Sequence, residues 1–124
     1  YGRYDTWIED AVDVKAYLYN DDSEYVCTLN AYENEFWSEP MPEGRYSVVF
    51  VRDPGGQFRF RRLTDYRRYG LREGSAYTTD TFYNKNGVRY SSTNLKVPPA
   101  PELEWPNLVK DMTSFSQSES LCIM

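Results

Sequence analysis

The chain has 124 residues and a net charge of −5, and it contains no histidine. This length suits one domain with one core, and no apolar run approaches membrane-spanning length. The lack of histidine excludes most nucleophile activation and most zinc and copper sites, while twelve tyrosines and an aromatic share of 17% favour β structure.

The first part of the chain predicts short strands separated by turns. After a lead-in over residues 1–6, apolar residues alternate with other residues from Val12 to Tyr19, which is typical of a half-buried strand. Asn20–Ser23 predicts a turn and Tyr25–Tyr32 a second strand. The acidic and aromatic stretch Glu33–Glu39 predicts one helical turn or an irregular loop.

The stretch Gly44–Leu63 predicts a central hairpin. Its first strand is rich in β-branched and aromatic residues and is apolar on both faces, as expected of a central strand. Asp53–Gly56 predicts the turn, because proline presets φ and glycine accepts positive φ. The second strand alternates phenylalanine with arginine, so its cationic face is expected to meet water or a charged partner. The expected core residues are Tyr46, Val48, Phe50, Phe58 and Phe60.

The remaining residues predict a second hairpin and a polar tail. Residues 64–75 favour a loop, in which Asp65 is able to cap a short helix. Two β-rich runs on either side of Asn84–Gly87 predict the second hairpin, because Asn-Gly suits positive φ. The whole pattern predicts an all-β fold, an antiparallel β-sandwich or jelly roll, over residues 1–97. Residues 98–124 are expected to form a proline-rich extension and polar C-terminal tail of the same domain.

Hard carboxylate oxygens are the only plentiful metal ligands in the sequence. If a metal binds, we expect calcium at Asp21, Asp22 and Glu24, although the spacing is not that of an EF-hand. The alternative is that these residues form a turn and add solubilising charge. Of the two cysteines, Cys27 is expected to be a small buried hydrophobic residue and Cys122 to lie in the tail.

The residues favour a binding protein over an enzyme. Without histidine or a metal cluster we expect no hydrolase activity. Paired carboxylates such as Glu102 and Glu104 are the groups that glycosidases use, but a glycosidase fragment is the weakest of the hypotheses. Arginines interleave with aromatic residues after Phe58, a pattern seen in nucleic-acid binding. However, an acidic chain with a pI of about 4.7 opposes such binding, so no nucleic-acid partner is expected.

The charges are distributed unevenly. Residues 1–44 contain eleven acidic and two basic side chains, residues 45–72 contain eight arginines and two aspartates, and residues 73–124 contain six acidic and four basic ones. These segments carry −9, +6 and −2. The charges either pair within the fold or form a ligand-binding or dimer surface. The residues predicted for that dimer or ligand surface are Arg59, Arg61, Tyr66, Arg67 and Tyr69.

Residues 41–50 read Met-Pro-Glu-Gly-Arg-Tyr-Ser-Val-Val-Phe, a Pro-x-Gly-x-aromatic-x-Val strand entry. With this motif and its tyrosine-rich, histidine-free β pattern, the chain resembles the protruding domain of small icosahedral RNA virus coat proteins of the nodavirus and tombusvirus kind. The resemblance implies a non-enzymatic capsid protein at the virion surface. It also implies a homodimeric spike that attaches to a host receptor protein or glycan. A carbohydrate-binding module or lectin-like sandwich remains the alternative.

Overall fold

The computed structural model describes residues 1–91 and 95–100. None of the helices in this part of the chain is long and apolar enough to cross a membrane. The elements are β1 Gly2–Trp7, β2 Val14–Asn20, β3 Tyr25–Thr28, β4 Asn30–Tyr32, β5 Glu35–Trp37, β6 Gly44–Arg52, α1 Asp65–Arg68, β7 Thr78–Asn84 and β8 Gly87–Tyr90.

The strands form two four-stranded sheets, which confirms the predicted all-β sandwich. The first sheet has the order β4-β5-β1-β8 and the second has the order β3-β2-β6-β7. Adjacent strands are antiparallel, except that β1 and β8 are parallel. The first and last described strands therefore lie side by side in the first sheet.

Strand β6 is central in its sheet, as its apolar faces predict. It pairs with β2 on one side and β7 on the other. Tyr46, Val48 and Phe50 face the core between the two sheets. Val49 and Val51 belong to a second buried cluster. Both faces of this strand are thus removed from water, which explains the near-continuous run of apolar residues.

Residues 53–77, here called the covering loop, form a third layer over the second sheet. Phe58 and Phe60 are buried in the second cluster with Tyr66 of α1. Tyr19 of β2 donates a hydrogen bond from its hydroxyl group to the carbonyl oxygen of Phe60 at 2.6 Å. The loop anchors at the buried Asp53, whose carboxylate accepts hydrogen bonds from the Tyr17 hydroxyl group and from the backbone N–H groups of Gln57 and Phe58.

The prediction of a second hairpin strand after Gly56 is therefore wrong. Both edges of β6 are already paired with β2 and β7, so residues 57–63 cannot extend that sheet alongside it. Their phenylalanines are buried as expected, but they cover the outer apolar face of the second sheet. Burial of that face decides the path of the loop more strongly than local alternation does.

Two further pairing predictions are corrected. The strand expected over residues 25–32 divides at the buried Leu29, because β3 belongs to the second sheet and β4 to the first. Strands β7 and β8 do not pair as a hairpin, since the chain changes sheets between them. Asn84 stabilises that crossover by donating from its side-chain amide to the carbonyl oxygens of Gly2 and Met41, at 3.1 and 2.9 Å.

Cys27 is buried on β3, as expected, but it is disulfide-bonded and not a free thiol. Cys122, the carboxylates Glu102 and Glu104, and the predicted polar tail all lie outside the described residues.

Candidate ligand groove

Three large aromatic side chains are exposed on the outer face of the first sheet. The exposed fractions are 63% for Trp7, 70% for Tyr32 and 65% for Tyr90. They line one groove of about 480 Å³ together with Asp5 and Glu35. We call these five residues the acidic–aromatic groove. Isolated exposed aromatics are ordinary, but several around one concave surface are typical of an interaction site.

The strand register of the first sheet produces two rows of side chains, and in each row a carboxyl group lies between two aromatic side chains. Residues that are register partners on neighbouring strands lie on the same face of a sheet, with Cβ atoms about 5 Å apart in antiparallel pairs. The pairings of β1 with β5 and β8, and of β4 with β5, define two rows across the sheet. The first row is Tyr32–Glu35–Trp7 and the second is Trp37–Asp5–Tyr90.

The two carboxyl groups also interact with each other. Asp5 and Glu35 share a side-chain hydrogen bond, and only 6% of Asp5 is exposed. Burial, followed by the hydrogen bond and the charge of Glu35, raises the pKa of Asp5 to about 6. The Arg3 guanidinium group, 3.6 Å from the Asp5 carboxylate, opposes this rise. The groove therefore holds a carboxyl group, that of Asp5, which exchanges a proton in mildly acidic solution.

Strand β1 is well anchored beneath the groove. The ring of Tyr4 stacks on Phe82 of β7 at 4.6 Å, and its hydroxyl group donates to the Asp80 carboxylate at 2.7 Å. Its backbone N–H group donates to the Ser38 hydroxyl oxygen at 2.9 Å. Because Tyr4 faces the interior, its sequence neighbours Arg3 and Asp5 face outward.

The β4–β5 turn positions the opposite wall of the groove. The Asn34 side-chain amide donates to the carbonyl oxygen of Ile8 at 2.7 Å, and the Ile8 N–H group donates to the Asn34 carbonyl oxygen at 2.8 Å. Glu33 takes a φ of 53°, in the left-handed region. These contacts join the turn that carries Tyr32 and Glu35 to the end of β1.

This arrangement suits a cationic group. The carboxyl groups supply negative charge, and the exposed rings offer π faces that attract ammonium and guanidinium ions.

The predicted calcium ligands lie in the exposed turn between β2 and β3. Asp21, Asp22 and Glu24 are all exposed. The Asn20 side-chain oxygen accepts hydrogen bonds from the N–H groups of Asp22 and Glu24, at 2.9 and 3.0 Å, as in a turn-forming motif. Within residues 1–91 and 95–100, no three acidic, histidine or cysteine side chains form a group able to hold a metal ion. The structure thus places these carboxylates on a turn without joining them into a ligand set.

The five residues predicted for a dimer or ligand surface do not all lie at the surface of the protein. Arg59 and Tyr66 are buried, and the Arg59 guanidinium group lies 5.2 Å from the centroid of the Tyr25 ring. Tyr69 is half-buried and stacks on Phe60 at 5.2 Å. Arg61 and Arg67 are exposed. Two of the five residues therefore belong to the core that the covering loop creates, and they are not available to a partner.

The acidic–aromatic groove was not predicted from the sequence. The sequence pattern predicts a lead-in over residues 1–6 and a helical turn or loop over residues 33–39, whereas the structure has strands β1 and β5 in these stretches. A period of two was present in β1, with Tyr4 and Thr6 on one face and Arg3, Asp5 and Trp7 on the other. That alternation predicts a strand, but it does not reveal which strands lie beside it.

No protein-family model and no curated protein matches this chain. Among solved structures, it is similar to Klebsiella pneumoniae 5-hydroxyisourate hydrolase, at 20% identity and a TM-score of 0.45. The match covers 82% of this chain and 92% of that one. At this identity and TM-score, the similarity does not assign that protein's activity to this chain.

The comparison corrects the interpretation as a viral capsid protein. The similar structure is a bacterial enzyme and not a viral capsid protein, so the prediction of a spike domain is wrong. The prediction of a non-enzymatic protein is contradicted by the same match, because the similar protein is a hydrolase. The β-sandwich is the part of the resemblance that holds. No observation tests the expected location at a virion surface.

Proposed function

We propose that the acidic–aromatic groove binds a cationic side chain, an ammonium or guanidinium group, presented by a protein or peptide. The observation that carries this proposal is the register of the first sheet. It sets Asp5 and Glu35 each between two aromatic side chains, with three of the rings exposed. A cation that enters the groove would meet both carboxyl groups and at least one ring face.

The interaction energies available in the groove favour a cation over a neutral ligand. A cation over an aromatic face gains about 0.5–1 kcal/mol when exposed and about 2 kcal/mol when desolvated. Hydrogen bonds between ionised groups are roughly twice as strong as neutral ones. A bound cation also opposes the two effects that raise the pKa of Asp5, which are burial and, after it, the neighbouring Glu35. The net charge of −5 attracts cationic partners at long range.

Peptide titration tests the proposal. Capped tetrapeptides rich in arginine or lysine are expected to bind, whereas a glutamate-rich peptide of the same length is not. Trp7→Ala and Glu35→Gln should each weaken binding several-fold, since one removes a ring face and the other a charge. Tyr83→Ala is the matched control, because Tyr83 is an exposed aromatic residue of β7 outside the groove.

Two outcomes would contradict cation binding in the groove. One is peptide binding that is unchanged in both groove variants. The other is a neutral oligosaccharide that binds more tightly than the cationic peptides and is insensitive to Glu35→Gln.

A further inference from the structure

We infer that the cationic group bound in the groove is an arginine of the covering loop of a second copy of this chain, so that molecules associate head to tail. This inference rests on the proposed function, since it names the partner of the same groove. It starts from the position of the two charged surfaces on opposite sides of the sandwich.

The covering loop is cationic on its outer surface. Residues 53–77 contain six arginines, two aspartates and one glutamate, and therefore carry +3. Of the six arginines in this loop, all except Arg59 are exposed. The exposed ones are Arg61, Arg62, Arg67, Arg68 and Arg72.

The loop and the groove cannot meet within one molecule. The groove lies on the outer face of the first sheet, and the loop covers the outer face of the second. The core between the sheets, which includes Tyr4 and Val48, separates them. A second copy is the partner that brings such surfaces together. Because they point in opposite directions, the contact is heterologous and leaves a free groove at one end and a free loop at the other.

Arginine is the cation that this loop offers. Residues 45–72 contain no lysine. A guanidinium group stacks on aromatic rings and binds carboxylates in a bidentate manner, so it matches both components of the groove. The chain already forms such contacts internally, since the Arg68 guanidinium group lies 5.6 Å from the centroid of the Tyr69 ring. In the groove, the exposed Trp7 and Glu35 offer an aromatic ring and a carboxylate to an arginine of a partner.

Sedimentation of complementary variants tests this inference. A loop variant, Arg62→Glu with Arg72→Glu, retains an intact groove. A groove variant, Trp7→Ala with Glu35→Gln, retains an intact loop. Arg45→Glu with Lys85→Glu is the control, because it reverses two exposed charges outside both surfaces. We expect self-association that grows with concentration in the unmodified and control proteins, and a loss of at least tenfold in affinity for each of the other variants.

A mixture of the two variants distinguishes head-to-tail association from a two-fold dimer. Each pair retains one intact contact, so the mixture should form a one-to-one complex that does not grow further. Head-to-tail association is overturned if the unmodified protein remains monomeric at several hundred micromolar, or if the mixture forms no complex.

The loop variant also separates this inference from the proposed function. If it binds an arginine-rich peptide while the unmodified protein stays monomeric, the groove binds cations but the partner is not a second copy. If the groove binds no cationic peptide at all, the proposed function itself fails.

Discussion

The carboxyl group of Asp5 lies beside that of Glu35 and is shielded from water. Its raised pKa means that the folded chain binds a proton more tightly than the unfolded chain does. The stabilisation from that proton is fully present below the usual aspartate pKa of about 4 and is lost as the pH rises through about 6. At neutral pH the ionised Asp5 therefore lowers the free energy of unfolding. The groove retains a charged group at a cost in stability, as binding sites commonly do.

Asp5→Asn should stabilise the protein at pH 7.5, because it removes the repulsion and the desolvated charge. The expected gain is on the order of 1–3 kcal/mol, from a rise of about two units in the pKa. The gain should shrink below pH 4, where Asp5 is protonated in both states. Urea unfolding at both pH values measures it, with the exposed Asp22→Asn as the control. Destabilisation by Asp5→Asn at pH 7.5 would contradict the argument.

At the scale of elements, the covering loop determines how the second sheet is buried. Phe60 is 1% exposed and lies between Tyr66 and Tyr69, with ring centroids at 4.7 and 5.2 Å. Its carbonyl oxygen accepts the hydrogen bond from Tyr19. This residue thus joins the loop to β2 through both its side chain and its backbone.

Phe60→Ala is expected to lower the free energy of unfolding by about 3–5 kcal/mol, since it removes a buried ring and leaves a cavity. Val88→Ala on β8 is the control, because that side chain is 41% exposed and should cost less than about 1 kcal/mol. Urea titration gives both values. A loss below about 1 kcal/mol for Phe60→Ala would mean that the loop does not cover the sheet as described.

At the scale of the molecule, the sandwich separates two charged surfaces. The carboxyl groups of Asp5 and Glu35 lie on one outer face, and the exposed arginines lie on the loop that covers the other. Both surfaces are close to solvent, so added salt weakens their attraction for partners. The raised pKa of Asp5 makes that attraction depend on pH as well.

The affinity for an arginine peptide should rise between pH 5 and pH 7.5. A bound cation gains its full charge interaction only when Asp5 is ionised. The Asp5 pKa of about 6 therefore sets the pH range over which the affinity rises. Calorimetric titration at several pH values measures the effect, which should approach tenfold per pH unit below the pKa. Asp5→Asn should flatten the profile. A flat profile in the unmodified protein would exclude this carboxyl pair as the binding group.

The sequence by itself determined the all-β class and the central position of β6. Alternation with a period of two and runs of β-branched residues are local properties, so Val48 and Val49 could be assigned to opposite buried faces without knowing their neighbours. Burial of Phe58 and Phe60 was likewise predictable from their apolar character.

Only the tertiary structure decided which strands are neighbours, because pairing depends on contacts between residues far apart in the sequence. Turn chemistry at Asn84–Gly87 is compatible with a hairpin, yet the chain changes sheets there and β8 pairs with β1. That pairing brings Tyr90 beside Asp5, 85 positions away in the sequence, while β5 brings Glu35 to the other side. The acidic–aromatic groove is therefore a product of strand order, which no local pattern in the sequence specifies.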